Sequence, residues 1–168
     1  MAEEMVIDQV DKEIILELQK SGRRSYLELA NFLHVSETTV RNRVKNLIEK
    51  GIITINAIPD LKKLGYGFVG IVALQVRLAD LRDIADRLTK HPNVCYVANV
   101  TGRFDLMAIV VTRSSTEFAD FMETVIAAIP NVLRTETFVN LHVYKGQVTG
   151  VDTGYLVDTI IIPPYKKH

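Results

Sequence analysis

The stretch Ser36 to Leu47 reads SETTVRNRVKNL, a run in which hydrogen-bonding side chains crowd around a thin apolar seam. Val40, Val44, Leu47 and Ile48 recur at helical spacing. At about 100° per residue, Thr38, Asn42, Lys45 and Asn46 fall opposite that seam, with Thr39 beside them and Arg41 and Arg43 on the flanks. Side chains of these types can read DNA. Asparagine pairs bidentately with adenine and arginine with guanine, while threonine offers a methyl to thymine and a hydroxyl to phosphate; each good pair discriminates by about 1–3 kcal/mol. Plain solvation is the competing reading, because any surface helix has a wet side. Arg43 sits at the margin of the seam, where pairing with an acid that braces the domain competes with contact to a phosphate.

What surrounds the helix favours recognition. Ser36 is a good N-cap, and Gly51 a good glycine stop just past Lys50. Upstream, Ser25 and Glu28 have the S-x-x-E capping-box spacing and open a short helix whose Leu29, Ala30 and Leu33 face inward and which ends near His34. An earlier acidic helix carries Ile7, Val10, Ile14, Ile15 and Leu18 at helical spacing, with Gly22 as its stop. Two short helices separated by about three residues, with a small alanine where they cross, describe a helix-turn-helix whose later helix faces the major groove. Charge agrees with this. Residues 1–19 hold one lysine against six acids, whereas residues 20–50 hold seven lysines or arginines against three acids, so a local net +4 is hidden in a chain of zero net charge. The DNA-contacting set expected on this reading is Ser36, Thr38, Thr39, Arg41, Asn42, Arg43 and Lys45.

After Gly51 the pattern changes. IITINAIPD reads as a strand-like linker ending at Pro59, followed by the polar KKLGYG. FVGIVALQVRL (68–78) is a buried strand, and the helix after it carries Leu81, Ile84, Ala85 and Leu88 on one face. VCYVANV (94–100) and LMAIVV (106–111) are two strands joined by TGRFD, a hairpin turning at Gly102. A second helix opens at Ser114 with Glu117 in capping-box spacing, buries Phe118, Phe121, Met122, Val125, Ile126 and Ile129, and breaks at Pro130; residues 132–144 alternate as a fourth strand. The order βαββαβ predicts a ferredoxin-like α+β sandwich with both helices on one sheet face. The other face, carrying Tyr96, needs a partner, and a second copy packed back to back would make a homodimer that also pairs the recognition helices. The expected organisation is a helix-turn-helix domain (1–56), a linker (57–65), a ferredoxin-like domain (66–145) and an extension (146–168).

Composition sets the outer limits. Of 168 residues, 48% are apolar, enough for a core without staples, and the single Cys95 allows no intramolecular disulfide. MAEEMVIDQV lacks the basic start and apolar stretch of a secretion signal, and no apolar run approaches the ~20 residues of a membrane helix, so the expected location is the cytoplasm, with no membrane partner.

With VDKEIILELQKSGR, ELANFLHVSETTVRNRVKNLIEKGII, LGY and TGRFD in this order, the chain resembles the Lrp/AsnC (feast/famine) transcriptional regulators over roughly residues 8–145. The resemblance implies a winged helix-turn-helix that binds double-stranded DNA through 36–45, dimers that assemble into higher oligomers, and a small-molecule effector, typically an amino acid, bound between subunits. It sets the effector site at Thr101, Gly102, Arg103 and Asp105 of the hairpin, with hydroxyls of Thr135 and Thr137 on the last strand. Arg103 would serve a carboxylate and Asp105 an ammonium. A plain hairpin, with Asp105 bonded to backbone N–H groups and Arg103 solvated, remains the alternative.

Two departures from the family stand out. His34 occupies the turn where glycine is usual, in a left-handed conformation that histidine tolerates only moderately. The tail KGQVTGVDTGYLVDTIIIPPYKKH runs past the family core, either as an edge strand across a subunit contact, as a cover for the effector cleft, or as a packed strand without function. Siroheme decarboxylases share the two-part architecture, so an enzyme is the competing class. The residues argue against it: His34, His91, His142 and His168 have no metal-ligand spacing, and the hairpin has no histidine for acid–base work. No catalytic residue, metal or cofactor is expected. A DNA-architectural protein without ligand response is the third reading.

Overall fold

The first three helices all begin at side-chain caps. The computed structural model describes residues 7–144. Asp8 accepts the Asp11 N–H at 2.9 Å while Asp11 accepts the Asp8 N–H at 3.3 Å, and helix α1, Gln9–Lys20, follows. Ser25 and Glu28 make the same reciprocal pair, at 3.2 and 2.8 Å, ahead of α2, Tyr26–Leu33. Ser36 accepts the Thr39 N–H at 3.0 Å and opens α3, Glu37–Glu49. Each cap occupies backbone donors that a helix start leaves unpaired.

The stops are equally local. His34 ends α2 in the left-handed conformation (φ 55, ψ 39), and the Val35 N–H reaches the Ala30 carbonyl at 3.1 Å. Gly51 (φ 68) ends α3. Gly22 does not end α1 in that way: the extended Ser21 does, its N–H on the Glu17 carbonyl at 3.1 Å.

Ile14, Leu29, Ala30, Val40, Val44 and Leu47 form the core of this unit, which spans Met1–Ala57. Ile48 is not part of it. Lying one residue, or about 100°, past Leu47, it stays 43% exposed. Glu17 is buried, with Lys20 Nζ at 2.6 Å and the Arg24 guanidinium on its other oxygen, and Arg24 stacks over Phe32 at 5.4 Å. The strand-like linker is corrected as well. Residues 52–59 form no strand, because the Ile52 and Ile53 N–H groups fold back onto the Leu47 carbonyl at 2.8 and 3.3 Å and both side chains pack against the helical core. A β-branched run signals burial here, not pairing.

The second unit, Ile58–His168, is built on a four-stranded antiparallel sheet: β1 Phe68–Val76, β2 Val94–Asn99, β3 Leu106–Thr112 and β4 Val132–Val139, in the order β2-β3-β1-β4. Helix α4, Leu81–Thr89, and α5, Ser115–Phe121, complete the βαββαβ succession. In register, Val72 stands beside Ala108 on one side and Thr137 on the other. Alternation therefore sends Val72, Leu74, Leu106, Ala108 and Val110 to one face, where they pack with Ile84, Leu88, Phe118, Phe121, Ile126 and Ile129. The opposite face carries Ile71, Ile109, Tyr96 and Phe138, the last two exposed.

Several boundaries move for visible reasons. β1 stops at Val76, because Leu78–Asp80 tightens into a 3₁₀ turn leading into α4. β4 stops at Val139, not Tyr144; the Asn140 N–H still reaches the Val69 carbonyl at 3.1 Å, but β1 begins at Phe68 and offers nothing further to pair with. The second helix is not continuous. It widens into a π turn over Met122–Ile126, where the Thr124 hydroxyl donates to the Asp120 carbonyl at 2.6 Å and competes with the regular ladder. The anticipated extension at 146–168 lies outside the described residues.

Gly70 of β1 lies directly under the Phe118 ring: a Cβ there would come within 2.4 Å of Phe118 Cε2. Phe118 also packs against Phe68 and Phe121, at 5.1 and 6.5 Å between centroids, and has little room to retreat. Gly70→Ala is expected to destabilise the sheet unit by about 1–3 kcal/mol, read as a lower Tm, and Phe118→Leu in the same chain to recover part of the loss. An unchanged Tm would contradict this packing.

Candidate nucleic-acid interface

The outward side of α3 sorts by whether each polar group already has a partner. Ser36 and Thr39 have each other, hydroxyl to hydroxyl at 2.7 Å, as part of the cap. Arg41 bonds Glu37 at 2.7 Å and lies 5.3 Å above the Tyr26 ring. Lys45 faces Glu49 at 3.6 Å, a solvent-exposed pair that is cheaply given up. Thr38 and Asn42 are exposed and make no side-chain hydrogen bond among the described residues. The same holds for Asn46 and Lys50. The sequence reading set Asn46 on the correct side but left both residues out of the contact set. A groove runs beside them, lined by Thr39, Asn42 and Asn46 from α3, by Lys50 at its C-cap and by Asp11 from α1.

Arg43 has a different setting. Its Nη1 donates to Asp8 Oδ2 at 2.6 Å and to Asp11 Oδ1 at 3.0 Å, so one guanidinium clasps both carboxylates of the α1 capping box. The bracing role that its place at the seam margin allowed is the one the structure displays. The Asp8 carboxyl is held below its ordinary value by the Asp11 backbone N–H first and by Arg43 second, and Arg43 is raised in return by Asp8 and Asp11.

The hairpin between β2 and β3 brings some of its expected effector residues together and separates others. Thr101, Gly102 and Arg103 are exposed, Gly102 at φ 121, and Phe104 is buried beneath them. Asp105 is engaged by backbone: its N–H donates to the Leu74 carbonyl and its Oδ2 accepts the Val76 N–H, both at 2.9 Å, which ties the hairpin to the end of β1. Arg103 is not simply solvated. Its Nη2 lies 3.1 and 3.2 Å from the two oxygens of Glu136, and its guanidinium stacks over Phe104 at 5.1 Å. Glu136 was absent from the expected set.

Thr135 and Thr137 pair in register with Leu74 and Val72, on the helix-covered side of the sheet, whereas Glu136 points to the other side. The two threonines therefore do not share the Arg103 face. A register shift in β4, where Val132 pairs with Val76 but Thr135 with Leu74, puts Val132 and Thr135 on the same side, so counting in steps of two from Val132 assigns the threonines to the wrong face. Elsewhere, His91 stacks edge-on to Phe121 at 4.9 Å and accepts the Asn93 N–H, and burial lowers its pKa; it serves packing.

Residues 7–54 match a family described as winged helix-turn-helix DNA-binding, and residues 72–152 match an AsnC-type transcriptional-regulator family described as a C-terminal dimeric alpha+beta barrel domain. The chain is 31% identical over 140 residues to the HTH-type transcriptional regulator FL11 of Pyrococcus horikoshii, covering 83% of this chain and 92% of that relative. It aligns with the structure of E. coli AsnC at a TM-score of 0.80 and 26% identity, covering 88% and 100% of the two chains. The transcriptional regulator NMB0573 of Neisseria meningitidis, solved as an L-Met complex, gives a TM-score of 0.79 at 22% identity over 86% and 96%, a likeness of fold. Domain for domain, the described architecture and these relatives define a DNA-binding transcriptional regulator. The chain belongs to the Lrp/AsnC family.

The Asp8–Arg43–Asp11 clasp has a pH signature. Because the native Asp8 pKa is depressed, its contribution is fully present above the ordinary 3.8 and is lost as pH falls through the lower native value. Arg43→Ala is expected to lower Tm by a constant margin from about pH 5 to about pH 8, with the margin closing as the Asp8 carboxyl protonates. A margin that persisted in acid would mean that Arg43 acts through packing alone.

Proposed function

We propose that the chain is an effector-responsive regulator in which α3 reads operator DNA and the ferredoxin-like unit binds an amino acid and sets assembly. The carrying observation is the outer side of α3, where Thr38 and Asn42 stand exposed with no side-chain hydrogen bond among the described residues, flanked by Arg41 and Lys45. The expected DNA set of Ser36, Thr38, Thr39, Arg41, Asn42, Arg43 and Lys45 is kept with roles divided. Thr38 and Asn42 read bases, Arg41 and Lys45 serve phosphates, Ser36 and Thr39 order the first turn, and Arg43 fixes the helix.

Assembly follows from the uncovered sheet face. Tyr96, Ile109, Ile71 and Phe138 form an apolar surface that a second copy would cover, giving a homodimer whose recognition helices meet half-sites about one DNA turn apart, with dimers joining into higher oligomers. The effector site centres on Thr101, Gly102, Arg103 and Asp105 with Glu136 added; Thr135 and Thr137 belong to it only through another subunit. An α-amino acid suits this site because its carboxylate can replace Glu136 on Arg103 while its ammonium takes Glu136. The L-Met complex of the Neisseria neighbour supports an effector of this class. Regulation is then linkage: an amino acid that prefers one assembly shifts DNA affinity by that preference and no more. The protein acts in the cytoplasm as a regulator, not as an enzyme.

Fluorescence anisotropy on DNA from upstream of its own gene, against random DNA and with each amino acid added, tests this directly. Asn42→Ala should remove about 1–3 kcal/mol of preference for the specific site, whereas Lys45→Ala should weaken all DNA about equally and lower the salt slope by about 1. Equal loss on both DNAs for Asn42→Ala would sink its role. Arg103→Ala should abolish the amino-acid response with DNA binding intact; unchanged effector affinity by calorimetry would move the effector site elsewhere, and DNA binding unaffected by any amino acid would leave a purely architectural protein.

A further inference from the structure

We propose that Asn42 and Asn46 together read two adenines in one operator half-site, separated by a single intervening base pair. The inference rests on α3 being the DNA-reading helix and specifies what it reads. Along its outer side, the charged groups Arg41, Arg43 and Lys45 each face a carboxylate of their own unit, and Ser36 and Thr39 face one another. The polar side chains without a hydrogen bond or ion pair among the described residues form a single row, Thr38, Asn42, Asn46 and Lys50, each four residues from the next.

Within that row only the two asparagines carry a planar amide, with a donor and an acceptor side by side. Adenine presents the complement in the major groove, an N6 amino donor next to the N7 acceptor, and no other base pair offers that order on its purine edge. Four residues advance a helix by about 6 Å, and two base-pair steps advance DNA by about 6.8 Å, a mismatch of less than about 1 Å that side-chain torsions can absorb. A recognition helix lying along the groove uses residues from successive turns in this way. Both asparagines also line the groove beside α3, so neither amide is blocked by a neighbouring side chain. Lys50, the end of the row and without an ion-pair partner among the described residues, falls past the second adenine, where a backbone phosphate is the ligand its charge suits.

The test is selection of binding sites from a random duplex pool with the full chain, followed by sequencing, for the wild type and for Asn42→Ala, Asn46→Ala and Asn46→Gln. The wild type is expected to enrich a half-site with adenines two positions apart. Each alanine variant should flatten one of those columns by about tenfold or more and spare the other, and Asn46→Gln, which retains the amide, should keep its adenine. A wild-type site whose columns all survive Asn46→Ala, or whose two sensitive columns are not two steps apart, would overturn the assignment while leaving α3 as the reading helix. If the wild type enriches no site, α3 does not read DNA, and the reading on which this inference stands fails with it.

Discussion

Whatever α3 can offer to DNA depends on its rotation about its own axis, and two constraints of different kinds set that rotation. Val40, Val44 and Leu47 turn one side into the core against Ile14, Leu29 and Ala30. Arg43, at the edge of that seam, is held by the two carboxylates that also cap α1. Burial alone is tolerant of small rotations, because apolar contact is not directional. The clasp supplies the directionality. With both in place, Thr38, Asn42 and Asn46 are presented on a fixed line, and the His34 turn decides where that line begins.

In the second unit the comparable constraint is the alternation of four strands around β1. Gly70 gives Phe118 the space to lie against the sheet, and the period of two then sorts the strand positions, except at the register shifts beside Val76 and between Val94 and Tyr96. Arg103 and Glu136 meet on the uncovered side because Asp105 anchors the hairpin to the end of β1 and β4 brings Glu136 to the next strand over. A carboxylate that looks available in the sequence is thereby committed to backbone, while one that looks unremarkable becomes the guanidinium's partner.

Features encoded within a few residues were legible from the sequence. The Ser25–Glu28 box, the Ser36 cap, the Gly51 stop, the seam of α3 apart from Ile48, and the strand–helix order are all local, and all stand in the structure as read. Features that depend on distant residues were not. Glu136 is 33 residues from Arg103, the early end of β4 follows from where β1 starts, and Ile52 and Ile53 resemble a strand until the helical core claims them. Arg43 was half legible, since its marginal position allowed a brace but could not say which of the nearby acids it would take. The face of Thr135 and Thr137 was hidden by a register shift in β4, which puts Val132 and Thr135 on the same side of the sheet although they are three residues apart.

The outer position of β4 carries a consequence for the solubility of the chain. Among the described residues its segment VLRTETFV pairs on one side only and carries exposed Leu133, Phe138 and Val139, the ingredients from which strands recruit further strands. Arg134 and Glu136 interrupt that apolar run, and charged interruptions of this kind are what keep an open sheet edge from templating fibrils. Glu136 therefore places a charge where it opposes cross-β growth as well as facing Arg103.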